Sequence, residues 1–155
     1  MSAGSAKARL AELGIELPAV VKPLAAYVPA VRTGNLVYTA GQLPMQDGKL
    51  AGAGKVGAEV SPEDGKELAR LCALNALAAV DSLVGIDAVI QVVKVVGFVA
   101  SAPGFSGQPG VVNGASELLA EVFGDRGAHA RSAVGVAELP LDAPVEVELV
   151  VEVGS

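Results

Sequence analysis

Residues 145–153 constrain the fold of this chain more than any other segment. Aliphatic side chains occupy every second position, and most of the positions between them are glutamate. The aliphatic set is Val145, Val147, Leu149, Val151 and Val153, and the intervening set is Glu146, Glu148, Val150 and Glu152. Because side chains alternate between the two faces of a strand, the pattern predicts a strand with one face in the core and carboxylates on the other. The chain must therefore build a sheet whose second face is partly charged.

Two further regions predict neighbouring strands. Residues 86–100 are a nearly continuous β-branched run, which is typical of a strand covered on both faces. Residues 27–31 and 36–40 flank a short turn in which Gly34 and Asn35 tolerate positive φ. These two segments are predicted to form a hairpin.

Helix signals separate the strands. Ser61 and Pro62, followed by two acidic residues, are a typical helix start, and the helix is expected to run to about Val84. A second helix is predicted over 112–123, and a short polar helix over 5–13. This order of elements predicts an α+β fold in which a single mixed sheet carries two helices on one face.

The composition predicts contacts between subunits. At 155 residues the chain fits one domain, yet hydrophobic residues make up 52 % of it and charged residues only 18 %. A surface this apolar is unusual for a monomer, so part of it is expected to be buried in an oligomer.

The charge and the rare residue types argue against several classes of function. A net charge of -6 without a lysine or arginine cluster disfavours general phosphate-backbone binding, and 3 % aromatic residues leave few platforms for unpaired bases. One cysteine and one histidine cannot assemble a zinc site. No run approaches about 20 uncharged apolar residues, and the amino terminus lacks the apolar segment of a signal peptide. A cytoplasmic protein without nucleic-acid or membrane partners is expected.

Arg131 is the strongest candidate for a binding residue. On a strand it shares a face with Ala133, Gly135 and Ala137, so its guanidinium projects from a surface of small residues. A planar group with five donors suits bidentate capture of a carboxylate or a phosphate. The alternative from this segment alone is a structural salt bridge or a solvated strand arginine.

Three other chemistry-bearing residues have a structural interpretation. Cys72 and Asn75 fall on or beside the apolar face of the first long helix, which favours a small buried thiol and a hydrogen-bonded core amide. His129 precedes Arg131 by two positions, which leaves an acid or base role open. A loop histidine is the expected interpretation, because the sequence reveals no orienting partner for it.

Four stretches of the chain follow one family pattern. They are Tyr27-Val28 with Thr33–Pro44, the helix centred on Asn75, Phe98-Val99 with Phe105 and Val112-Asn113, and Ala130–Ser132 through Glu146–Glu148. Together they resemble the RidA/YjgF family of reactive-intermediate deaminases, also labelled L-PSP endoribonuclease-like. The resemblance implies a chorismate-mutase-like fold, assembled as a homotrimer with pockets between subunits. It also implies one such domain over 27–155, preceded by an N-terminal extension with a short helix over 1–26.

The resemblance assigns roles to individual residues. Arg131 matches the arginine that grips the substrate carboxylate, and Glu146 matches the acidic residue associated with the hydrolytic water. Tyr27 matches a pocket tyrosine, Gly41 a glycine after the second strand, and Asn113 a polar residue near the site. The implied reaction is hydrolysis of small 2-imino acids or their enamine tautomers, such as 2-aminoacrylate, to a 2-keto acid and ammonia. No cofactor or metal is implied.

The chain also departs from the family pattern. Ala133 is expected to contribute to substrate binding, although many members have cysteine at this position. If the position contributes only its backbone N–H, alanine is harmless; if a thiol is used there, the chemistry is lost. His129 stands where proline is common. The loops 46–60 and 101–110 are longer than in compact members, which predicts a divergent subgroup with a different pocket rim.

Three functions follow from these observations. The first is an imine or enamine deaminase whose substrate is a small carboxylate. The second is a trimeric small-molecule-binding or regulatory protein that keeps the arginine but performs no catalysis. The third is the endoribonuclease of the family's older label, which the acidic charge disfavours most.

Overall fold

The structure, a computed structural model, describes residues 4–23 and 25–155. The helices are α1 (Ala6–Glu12), α2 (Pro62–Val84) and α3 (Gln108–Phe123). The strands are β1 (Ala30–Thr33), β2 (Leu36–Thr39), β3 (Met45–Gln46), β4 (Lys49–Leu50), β5 (Val89–Ala100), β6 (Ala130–Val136) and β7 (Val145–Val153). Five strands form the main sheet in the order β1-β2-β7-β5-β6, while β3 and β4 form a separate hairpin. The β5–β6 pair is parallel and the other three pairs are antiparallel, so the predicted α+β fold with one main mixed sheet is confirmed.

Helix α2 begins and ends where the sequence predicts. The Ser61 hydroxyl oxygen accepts a hydrogen bond from the backbone N–H of Asp64 at 3.0 Å. Pro62 occupies the first turn, where a missing N–H leaves no helical bond unmade. Gly85 ends the helix with a φ of 83°, a conformation that glycine adopts without strain.

Helices α2 and α3 pack together on one face of the sheet and cover its valines. Their close approach depends on Gly114, because a Cβ there would collide with the backbone oxygen of Lys66. A Cβ on Gly97 of β5 would likewise overlap the side chain of Val112 in α3. Small residues thus set how deeply α3 sits on the sheet, and its first turns come to lie beside β6.

The hairpin differs from its prediction. Its first strand begins at Ala30 instead of Tyr27 and continues to Thr33, while the second strand ends at Thr39. Pro29 immediately precedes the strand and has no N–H for the ladder, which fits its place outside the sheet. Tyr27 lies before it and is about half exposed.

Two further boundaries differ. Strand β5 begins at Val89 because residues 86–88 form a 3-10 turn. Helix α3 begins at Gln108, four residues before the predicted start at Val112. Pro109 in its first turn is compatible with a helix, since the N–H groups of a first turn have no helical partner.

The sheet face opposite the helices is left open by the described residues. The glutamates of β7 lie on this open face, as their alternation predicts. The same face carries three apolar or aromatic side chains on other strands. They are Val31 of β1, Tyr38 of β2 and Val134 of β6, which are 53 %, 46 % and 44 % exposed. The open face therefore combines apolar side chains with a row of carboxylates, the pattern of a surface that another molecule covers.

Candidate active site

Arg131 lies near the start of β6, on the face of the sheet that carries the helices. Its register partner in β5 is Val95, which is fully buried beneath them. Nη1 donates to Asn113 Oδ1 at 2.7 Å and to Ser116 Oγ at 3.2 Å. Nη2 donates to the carbonyl oxygen of Pro109 at 3.3 Å. All three acceptors belong to α3, so the first turns of this helix hold the guanidinium.

These contacts leave one edge of the guanidinium available. Of the five N–H donors of an arginine, the contacts engage two on Nη1 and one on Nη2. The Nε–H and the second Nη2–H remain, and this pair forms the fork that binds both oxygens of a carboxylate. No acidic side chain pairs with Arg131 in the part of the chain that the structure describes. The alternative of a structural salt bridge therefore finds no partner there.

The backbone of Ala133 also faces outward. The N–H of Ser101 donates to the carbonyl oxygen of Val136 at 3.0 Å, so the polar groups of Val136 point towards β5. Successive residues of a strand point their backbone polar groups to opposite sides, which turns those of Ala133 and Arg131 away from β5. The N–H of Ala133 therefore lies at the free edge of the sheet, two residues from the guanidinium.

Ser116 and the partners of His129 were missed from the sequence. Ser116 follows Asn113 by three residues, so helical spacing places the two side chains on one side of α3, and this spacing was the available signal. Nδ1 of His129 lies 2.6 Å from the carbonyl oxygen of Gly127, and Nε2 lies 2.8 Å from Ser116 Oγ. His129 lies in the loop before β6, as expected, and the structure supplies the orienting partners that the sequence does not reveal.

A second group of candidate residues lines a cavity of about 820 Å³. Tyr27, Gly41 and Glu146 are on its wall. Residues 16–23, the β3–β4 hairpin and α2 supply most of the remaining lining, which includes the apolar side chains of Leu43, Met45, Leu71 and Leu74. Apolar side chains thus predominate in the lining, and Glu16, Lys22 and Asp47 join Glu146 as charged groups on the wall.

Gly41 and Glu146 are in direct contact. A Cβ on Gly41 would lie 2.5 Å from Oε2 of Glu146 and 2.8 Å from its Cδ, so glycine leaves the room that the carboxylate occupies. The neighbouring Gln42 exchanges two backbone hydrogen bonds with Val147, at 2.8 and 3.0 Å. These bonds fix the backbone of Gly41 against the start of β7.

The carboxyl group of Glu146 is electrostatically perturbed. Partial burial raises its pKa above the ordinary value, and the neighbouring carboxylate of Glu148 raises the pKa further. Both effects disfavour the charged form. A raised pKa makes the carboxylate a stronger base towards a bound water, as general-base catalysis near neutral pH requires.

Arg131 and Glu146 do not meet within one chain. Glu146 pairs with Phe98 of β5, and Phe98 pairs with Val134, three residues beyond Arg131. From the usual strand rise and spacing, the Cα atoms of Arg131 and Glu146 are roughly 14 Å apart. The three-residue offset also turns the two side chains to opposite faces of the sheet. The six candidate residues thus form two groups, Arg131 with Asn113 and Ala133, and Glu146 with Tyr27 and Gly41.

Cys72 and Asn75 are core residues, as predicted. Cys72 is fully buried, and burial, followed by the charge of Glu146, raises the pKa of its thiol well above the ordinary value. Such a thiol is a poor nucleophile. Asn75 is 1 % exposed, and its Nδ2 donates to the carbonyl oxygens of Leu43 at 3.1 Å and Met45 at 3.0 Å. It joins α2 to the chain that leads into the β3–β4 hairpin.

Residues 4–23 and 25–155 contain neither a candidate metal centre nor a helix that could span a membrane. No group of three or more His, Cys, Asp or Glu side chains in these ranges is arranged to hold a metal ion. None of the helices there is long and apolar enough to cross a membrane.

Comparisons with known proteins agree with this fold. The model of the Endoribonuclease L-PSP family matches residues 16–153. Protein TCP17 of Trypanosoma cruzi is 42 % identical over 157 residues, which cover 100 % of this chain and 98 % of that protein. The chain therefore belongs to the endoribonuclease L-PSP family, and the resemblance stated from the sequence motifs is confirmed.

Two solved structures show how far the likeness extends. The protein Atu1372 from Agrobacterium tumefaciens, described as having unknown function, is 46 % identical, with a TM-score of 0.89 over 96 % of this chain and 92 % of that chain. E. coli TdcF with bound serine is 25 % identical, with a TM-score of 0.62 over 89 % of this chain and 93 % of that chain. A protein of similar fold thus has a small amino acid bound in its structure.

Proposed function

We propose that this protein hydrolyses small 2-imino acids, or their enamine tautomers, to 2-keto acids and ammonia. Arg131 binds the substrate carboxylate, and Glu146 of a neighbouring subunit activates the attacking water. The observation that carries the proposal is the free two-donor edge of the Arg131 guanidinium, which is complementary to a planar carboxylate. All six residues assigned to the site fall within the proposed domain over 27–155, which follows an N-terminal extension.

The site requires two subunits because the two groups of residues lie on opposite faces of one sheet. A substrate with its carboxylate on Arg131 cannot also reach Glu146 of the same chain, since a 2-imino acid is only a few ångströms long. A cyclic assembly brings the edge of one subunit against the open face of the next. We propose a homotrimer in which the exposed Val31, Tyr38 and Val134 become buried between subunits.

The reaction needs few catalytic groups. The carboxylate of the substrate pairs with Nε and Nη2 of Arg131, and the outward N–H of Ala133 adds a backbone donor beside it. Glu146 removes a proton from water as its oxygen attacks C2 of the imine, and the nitrogen takes a proton from solvent. Glu146 then returns its proton to the amino group of the carbinolamine, and the hydroxyl proton passes to solvent. Ammonia leaves as the C2–N bond breaks, which leaves the 2-keto acid and the ionised Glu146. Binding and orientation supply much of the acceleration, because imines already hydrolyse readily in water.

Asn113 and Tyr27 have supporting roles in this proposal. Asn113 contacts Nη1 of Arg131 at 2.7 Å and so orients the carboxylate-binding edge. Tyr27 lines the same cavity as Glu146 and is about half exposed, and in this proposal its ring contacts the substrate side chain. No cofactor or metal is part of the mechanism.

A small-molecule-binding protein without catalysis is the second candidate. TdcF with bound serine supports it, since serine carries a carboxylate and a nitrogen on the same carbon, as a 2-imino acid does. An endoribonuclease is the third, and it rests on the family's label alone, because the net charge of -6 disfavours a polyanionic substrate.

The test is the hydrolysis of an imine generated in place. An amino-acid oxidase, with catalase present, would supply 2-iminobutyrate, and the first-order loss of imine would be followed with and without the protein. We expect the protein to accelerate this loss in proportion to its concentration. Binding of 2-ketobutyrate without acceleration would favour the regulatory candidate, and cleavage of RNA without either would favour the nuclease label.

Gly41→Ala should impair catalysis by displacing the carboxylate of Glu146. The added Cβ would lie 2.5 Å from Oε2, so the side chain must rotate away from its present position. We expect turnover of 2-iminobutyrate to fall by at least about tenfold, which corresponds to about 1.4 kcal/mol of activation free energy. Gly4→Ala is the matched control, because a Cβ there meets no atom within 4 Å. Equal activity of both variants would mean that the position of the Glu146 carboxylate is unimportant.

A further inference from the structure

His129 is joined to Arg131 through one hydroxyl group. Its Nε2 lies 2.8 Å from Ser116 Oγ, and the same oxygen accepts from Nη1 of Arg131 at 3.2 Å. On its other side, Nδ1 lies 2.6 Å from the carbonyl oxygen of Gly127. These four residues form a continuous hydrogen-bonded chain from the turn after α3 to the guanidinium.

The direction of each hydrogen bond follows from the first. A carbonyl oxygen only accepts, so Nδ1 of a neutral His129 ring carries the proton and donates to Gly127. Nε2 then has a lone pair and accepts a hydrogen bond from the hydroxyl group of Ser116. With its proton directed at His129, the Ser116 oxygen presents a lone pair to Arg131. The imidazole thus determines which way the serine hydroxyl points.

The chain of contacts is anchored to rigid backbone. Gly127 is buried, and a Cβ there would collide with the backbone oxygen of Leu119 in α3. The carbonyl that orients His129 is therefore held by tight packing against that helix. Both ring nitrogens are engaged by Gly127 and Ser116, so neither is available to exchange a proton with a ligand.

We propose that His129 is a positioning residue for the carboxylate-binding arginine. Acting through Ser116, it holds Nη1 of Arg131 so that the Nε–Nη2 edge faces the ligand. The inference rests on the proposed role of Arg131, and it assigns to Ser116 and His129 a function in substrate affinity that the family resemblance does not supply.

The tautomer of His129 can be read directly by nuclear magnetic resonance. It is the only histidine in the sequence, so its ring signals need no assignment by mutation. Two-bond proton–nitrogen correlations should show the proton on Nδ1. Addition of 2-ketobutyrate should shift the Nε2 resonance as the hydrogen bonds from His129 through Ser116 to Arg131, here called the relay, shorten. A proton on Nε2 would overturn the hydrogen-bond directions and the proposal with them.

Binding of 2-ketobutyrate to variants tests the relay itself. His129→Ala and Ser116→Ala should each raise the dissociation constant about five- to tenfold, the effect of one net hydrogen bond, with a smaller change in kcat than in KM. The dissociation constant of the double variant for 2-ketobutyrate should not exceed the larger of the two single-variant values, because His129 acts only through Ser116. His129→Gln should restore most of the affinity, since its amide oxygen can accept from the serine. Ser82→Ala, at an exposed position of α2, is the control.

The outcomes distinguish the proposed carboxylate-binding role of Arg131 from the proposed positioning role of His129. Wild-type protein that binds no 2-ketobutyrate and hydrolyses no imine would refute the role of Arg131 and the relay together. Wild-type protein that binds the keto acid, with unchanged affinity in His129→Ala, would refute the relay alone. Additive losses in the double variant, or equal losses in His129→Gln and His129→Ala, would reduce His129 to a structural residue.

Discussion

Arg131→Lys should lose substrate binding. Lysine keeps the positive charge but not the planar pair of donors, and its three ammonium donors cannot serve Asn113, Ser116 and Pro109 and also bind a carboxylate. We expect the dissociation constants for pyruvate and 2-ketobutyrate, measured by calorimetry, to rise at least about tenfold. Turnover of the corresponding imines should fall at least as much, since the bound orientation is lost as well.

Glu146→Gln should keep substrate binding and lose turnover. The amide keeps the shape of the carboxyl group but cannot take a proton from water, so keto-acid binding should stay within about twofold while kcat falls by about 10² to 10³. In the wild type, kcat should decline as the pH falls through the raised pKa of Glu146, because only the ionised form is a base. The variant should lack this decline. Loss of binding in Glu146→Gln with turnover intact in Arg131→Lys would mean that the two roles are exchanged.

Stability provides a control for the same variant. Because the folded state raises the pKa of Glu146, it holds the proton more tightly than the unfolded state does. The resulting stabilisation is present at low pH and is lost as the pH rises through the raised pKa. Glutamine carries no charge to bury, so Glu146→Gln should unfold at a temperature equal to or above that of the wild type at neutral pH. A lower melting temperature would mean that its loss of activity reflects misfolding.

Local patterns in the sequence were enough to predict most of the elements. The alternation over 145–153 places Glu146 on the open face, and the Ser61-Pro62 start gives α2 within one residue. Both features depend on contacts between neighbours in the chain, which a sequence displays directly. The start of β1 differs from the prediction because Tyr27-Val28 has the residue types of a strand, whereas Pro29 has no N–H for the ladder.

The arrangement of the site could not be predicted in the same way. Arg131 and Glu146 belong to strands that never pair with each other, and both are placed by β5, which lies between them. Strand β5 has a register irregularity between Val92 and Lys94, which changes the face that its residues occupy. The contacts of Arg131 with Ser116 depend in turn on how deeply α3 packs. Such long-range placement has no local signature in the sequence.

Mixed oligomers should recover activity that neither parent variant has. The two groups of candidate residues lie on opposite faces of one sheet, so in the proposed assembly each complete site takes Arg131 from one subunit and Glu146 from its neighbour. Subunits carrying Arg131→Ala and subunits carrying Glu146→Gln would be co-expressed with different tags, and oligomers that contain both would be purified over both tags. Each parent, purified alone, should be nearly inactive.

The recovered fraction reports the number of subunits. In a ring of three that contains both variants, one neighbouring pair always combines an intact Arg131 with an intact Glu146, so about a third of the wild-type activity per oligomer is expected. A two-fold dimer would give about half, because one of its two sites is intact. Light scattering of the wild type should agree with the fraction, at about three times 15.4 kDa for the trimer. A preparation in which both tagged subunits carry Arg131→Ala is the control and should stay inactive. Mixed oligomers that also stay inactive would contradict the proposed site, in which Arg131 and Glu146 come from different subunits.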